Sequence, residues 1–88
     1  MHALVFNVTI HDQAKGEQML KERIVPSVSQ LPGFVAGYWL TVREGEGLSV
    51  VVFESEDAAN SAREQGPRPP EDAVTINEVE LAEVVAHA

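Results

Sequence analysis

Cysteine is absent from this 88-residue chain, and basic residues are scarce, with 6 Lys and Arg against 14 Asp and Glu and a formal net charge of -8. The first absence excludes disulfides. A chain this short then depends on a single core, near the size at which one core is only marginally sufficient. It also fits a reducing cytoplasm. The scarcity of Lys and Arg disfavours nucleic acid, whose phosphates need clustered cations, and an anionic membrane surface for the same reason. No apolar run is long enough to cross a bilayer. Met1 to Ile10 has no basic leader, and Asn7 and Thr9 interrupt it, so it reads as a strand rather than a signal peptide. No internal repeat or low-complexity tract is present, and 1-88 is read as one domain.

What is present is apolar alternation. Leu4, Phe6, Val8 and Ile10 fall on one side of a first strand, about Ala3 to Ile10, with Val5 on the other. Val50 and Val52 oppose Val51 and Phe53, and Val79 and Leu81 oppose Ile76 and Val84. Asp12 caps a helix whose stripe is Ala14, Leu20, Ile24, Val28 and Leu31, kinked or divided near Pro26. Leu31-Pro32-Gly33-Phe34 ends it and opens strand two, Phe34 to Val42. A loop, Arg43-Glu44-Gly45-Glu46-Gly47, leads to strand three, Leu48 to Glu54. Ser55 caps a short second helix bearing Ala58, Ala59 and Ala62, and Gly66-Pro67-Arg68-Pro69-Pro70 breaks it. Strand four runs from Val74 to Val85, long enough to overhang and pair with another subunit.

The order is βαββαβ, an α+β ferredoxin-like arrangement with an antiparallel four-stranded sheet. Both sheet faces read as apolar, and two short helices can cover one. The expected partner for the other is a second copy of the chain, giving a homodimer through the sheet face.

Leu31-Pro32-Gly33-Phe34 followed by a strand and a Gly-containing turn, with Val51-Val52-Phe53-Glu54-Ser55-Glu56-Asp57-Ala58, resembles the antibiotic-biosynthesis-monooxygenase-like family. The resemblance implies the dimeric α/β-barrel form of the ferredoxin-like fold. It also implies activities that range from cofactor-independent oxygenation of aromatic polyketides to haem degradation, so fold does not settle function. The haem-degrading branch carries a catalytic asparagine matched by Asn7. Its tryptophan is Phe53 here, and its histidine has no counterpart between Ser55 and Ala73. One position in three matches, so haem degradation is not expected and no cofactor is assigned.

The polyketide-oxygenase branch uses Asn, Trp, Tyr and Arg side chains in a pocket between helices and sheet. Pairing Val42 with Leu48 would put Trp39 on the side of Val51 and Tyr38 on the other, in the interface. Asn7, Trp39, Val51 and Phe53 are then expected around one pocket for an aromatic or apolar small molecule. Asn7 would orient the substrate, and His11 would be a base at the pocket mouth. Both also have plainer readings, Asn7 as a structural hydrogen-bonding amide and His11 as a surface residue. His2 and His11 lie at opposite ends of a strand, roughly 30 Å apart, so a metal site within one chain is not expected. Two functions follow: a cofactor-independent monooxygenase, or a non-enzymatic binding or interaction module.

Overall fold

The computed structural model describes residues 1–69 and 72–88. Its elements follow the expected order: β1 (His2–Ile10), a first helical segment, β2 (Phe34–Arg43), β3 (Glu46–Phe53), a second helix and β4 (Val74–Glu83). The strands form one sheet in the order β2-β3-β1-β4, and every neighbouring pair is antiparallel. This is the ferredoxin-like fold.

The first helical segment has three parts, α1 (Gln13–Met19), a π-helical turn (Leu20–Ile24) and α2 (Val25–Ser29). The Asp12 carboxylate accepts from the Lys15 amide at 3.0 Å and starts α1. Pro26 has no N–H to donate back, and the irregularity it demands is taken up in the turn before it, where the Val25 amide reaches the Leu20 carbonyl. The break thus begins at Leu20, earlier than the proline itself. Ala14 is exposed, and Gly16 takes the sheet-facing place instead, against Val74 and Ile10.

The second helix, α3 (Glu56–Gln65), is capped by Ser55, whose hydroxyl accepts from the Ala58 amide at 3.1 Å. Its small residues bring it close to the sheet: Ala59 and Ala62 are buried with Leu4, Val28, Val51 and Phe53 in the core. Phe34 meets Phe53 edge to face, with ring centroids 6.2 Å apart.

Three expectations change in register. The hairpin is tighter than the expected loop: only Glu44 and Gly45 turn, with Gly45 at φ 79° and an Arg43–Glu46 ion pair across it. Gly47 lies inside β3, where a side chain would crowd Val8 and Ile10. The pairing is Leu40 with Leu48, two residues from the expected register, so Tyr38 and Trp39 keep their expected faces, while an irregularity between Phe34 and Ala36 turns Phe34 to the side of Phe53. In β4, a register shift opposite Asn7 and Val8 returns Ile76 to the side of Val79 and Leu81, whereas strict alternation would separate them. β4 also ends at Glu83 rather than Val85, leaving little overhang. Pro70, the last residue of the expected loop after α3, lies outside the described residues.

Both helical segments lie on one face of the sheet. On the other face, Val5, Val50 and Val52 are only half-buried, while Tyr38, Leu40 and Val42 are 59%, 49% and 52% exposed. Glu78 and Glu80 rim this open face along β4. No described helix is long and apolar enough to cross a membrane.

Candidate functional site

A cavity of about 300 Å³ opens between the helices and the covered face of the sheet. Alternation supplies its floor, with Leu4, Phe6 and Val8 from β1 and Ser49, Val51 and Phe53 from β3. Leu20, Ile24 and Val28 form the helical wall. Trp39 enters from β2, and its ring folds back over Gly37: a Cβ on that glycine would sit 2.6 Å and 2.8 Å from ring carbons. Only a glycine two residues earlier on the same face leaves room for the indole to lie against the strand.

The cavity is apolar within and polar at its edges. At one mouth, the Gln13 amide donates to Glu17 at 3.1 Å and to the Thr41 hydroxyl at 3.5 Å, joining α1 to β2. Ser49 pairs with Trp39 across the β2–β3 ladder and adds a hydroxyl to the floor. Lys21, Arg63 and Arg68 border the opening from the π-helical turn, α3 and the loop after it.

Three of the expected residues, Trp39, Val51 and Phe53, meet in this cavity. Asn7 and His11 are not among the residues that line it. Asn7 has the opposite parity to Leu4, Phe6 and Val8, so its side chain lies on the open face, and the expectation that it shares a pocket with Trp39 is corrected. There it accepts from Asn77 at 3.3 Å, and Asn77 also donates to Thr9 at 2.9 Å. The register shift in β4 provides this cluster. His11 is exposed just beyond β1 and contacts the Thr75 hydroxyl at 2.7 Å. Tyr38 is on the open face, as expected.

Sequence reasoning missed Ser49, Gln13 and Thr41. Ser49 was legible, since it alternates with Val51 and Phe53. Gln13 and Thr41 were not, because their meeting depends on how α1 lies over β2. Among the described residues no group of three or more His, Asp or Glu side chains gathers as metal ligands.

No protein-family model matches the sequence, and no curated protein is significantly similar to it. Solved structures are similar. SnoaB, a cofactor-independent oxygenase from Streptomyces nogalater, superposes with a TM-score of 0.76 at 20% identity, covering 98% of this chain and 94% of its own. A single-substitution variant of SnoaB gives a TM-score of 0.76 at 21% identity, with the same coverage of 98% and 94%. MhuD, a heme-degrader from Mycobacterium tuberculosis with two hemes bound in its active site, gives 0.56 at 21% identity, covering 97% of this chain and 98% of its own. The likeness extends over nearly the whole chain and shows a shared fold, in agreement with the resemblance seen in the sequence. Among the described residues that line the cavity there is no histidine or tyrosine, and Met19 supplies a sulfur.

Proposed function

We propose that this protein is a homodimeric, cofactor-independent monooxygenase that takes an aromatic or otherwise apolar small molecule into the cavity beneath Trp39. The observation that carries this reading is the cavity itself. At about 300 Å³ it is of ligand-binding size, apolar within and polar at its mouth. The fold shared with an oxygenase that needs no cofactor supports the reaction class.

In such a reaction the substrate reduces dioxygen itself. A methylene between aromatic rings loses two C–H bonds and becomes a carbonyl; one oxygen atom enters the product and the other leaves as water. The protein's part is to bind, orient and exclude water. Trp39, Val51 and Phe53 shape the space, and the Ser49 hydroxyl is placed to hold a phenol or carbonyl oxygen. Asn7 and His11 take no catalytic part in this reading. The Asn7–Asn77–Thr9 cluster belongs instead to the dimer interface, formed where Tyr38, Leu40, Val50 and Val52 meet a second copy. The absence of cysteine favours a cytoplasmic setting, and the single core favours one domain.

One observation favours the alternative of a binding module without chemistry: among the described residues, Glu17, already engaged by Gln13 at the mouth, is the one carboxylate at the cavity, and no histidine lines it. Oxygen uptake separates the two. With a tricyclic anthrone as substrate and no added metal or cofactor, the enzyme consumes one dioxygen per carbonyl formed, well above spontaneous autoxidation. Binding of the anthrone without accelerated uptake establishes the binding module.

A further inference from the structure

The charge around the cavity runs against the charge of the chain. Acidic residues outnumber basic ones 14 to 6 overall. Yet among the described residues the cavity is bordered by three cations, Lys21, Arg63 and Arg68, and by one carboxylate, Glu17. The pairing of the basic residues sharpens the contrast. Lys15 and Arg43 are held by Asp72 and Glu46, and neither is among the residues that line the cavity. The other four, Lys21, Arg23, Arg63 and Arg68, have no ion-pair partner among the described residues. All four border either this cavity or the groove beside it, which Arg23 and Arg68 line.

These cations come from two distant stretches of chain, the π-helical turn and the end of α3 with its following loop. On a surface so rich in carboxylates the fold gathers these cations at one opening, where the described acidic residues are Glu17 at the cavity and Glu22 in the groove beside it. A guanidinium fork matches a carboxylate in two parallel hydrogen bonds, and the low-dielectric cavity beside it strengthens the attraction.

We propose that the cavity selects apolar aromatic molecules that carry an anionic carboxylate. Arg63 and Arg68, with Lys21, hold the carboxylate at the mouth while the aromatic body lies under Trp39. This deepens the small-molecule reading above and rests on it.

The test compares two size-matched probes, anthracene-2-carboxylate and its neutral carboxamide, by quenching of the single tryptophan of the intact protein. The carboxylate is expected to bind about tenfold more tightly at low salt, the scale of one charge-assisted hydrogen bond. High salt narrows the gap. The double variant Arg63→Gln, Arg68→Gln abolishes the gap between the two probes; both positions are exposed, so folding is preserved. Equal affinities for the two probes overturn anion selection and leave the apolar cavity standing. A preference that survives in the double variant overturns the role of the arginines. Binding of neither probe overturns the cavity reading and this inference together.

Discussion

Phe53 carries more of the core than any other side chain. It is 1% exposed, lies on the floor of the cavity and meets Phe34 edge to face. Phe53→Ala should cost about 3–5 kcal/mol in urea unfolding, a large share of what so small a domain has. Asn7 makes the opposite case. A polar residue inside an apolar strand invites a catalytic reading, but its alternate position turns it away from Trp39 and toward Asn77. Asn7→Ala should therefore leave probe affinity, read by tryptophan quenching, unchanged. It should weaken self-association in sedimentation equilibrium by about 1 kcal/mol, because Asn77 loses an acceptor. A loss of ligand binding with the dimer intact would return Asn7 to the site.

Among the elements, the helices were the easiest to read from sequence and the hardest to place. Both caps are local devices: Asp12 and Ser55 each accept from the amide three residues on, so residue type and spacing reveal them. Ser55→Ala should lower stability by about 1 kcal/mol in thermal unfolding. The way α1 is tied down was not legible, since Lys15 bridges to Asp72, just before β4. The hydrogen bond from Lys15 holds the Asp72 carboxyl below its ordinary range, and the same contact raises Lys15. A carboxyl lowered in the folded state contributes stability above its unfolded value, and that contribution fades as pH falls through the folded value. A raised lysine contributes below its unfolded value and loses this as pH rises through the folded one. The pair therefore acts in full between the ordinary carboxyl value of 3.8 and the ordinary lysine value of 10.5. The difference in Tm between wild type and Asp72→Asn should be present at neutral pH, small because both groups are exposed, and vanish in strong acid.

At the scale of the molecule, the sheet has one covered face and one open one. Tyr38, Leu40 and Val42 form an exposed apolar strip on β2, beside half-buried Val50 and Val52. Single exposed apolar residues are ordinary, but a contiguous patch marks an interaction surface. Leu40→Asp should turn a micromolar dimer into a monomer in sedimentation equilibrium and leave the far-ultraviolet circular dichroism unchanged. A wild-type protein that is already monomeric at that concentration would remove the basis of the dimer.

Periodicity, capping residues and turn glycines are properties of neighbouring residues, so the linear chain determined the βαββαβ order, the antiparallel sheet and the alternation that groups Val51 with Phe53. Packing determined the rest. A strand's parity says which side chains share a face, but not which face the helices will cover, and that choice sent Asn7 to the open side and Trp39 to the cavity. One extra residue in β4 brought Ile76 across to join Val79, a shift that alternation alone cannot foresee. The gathering of Lys21, Arg63 and Arg68 around one opening exists only once the π-helical turn and the end of α3 border the same cavity. Charges that distant in sequence acquire a common field only through the fold.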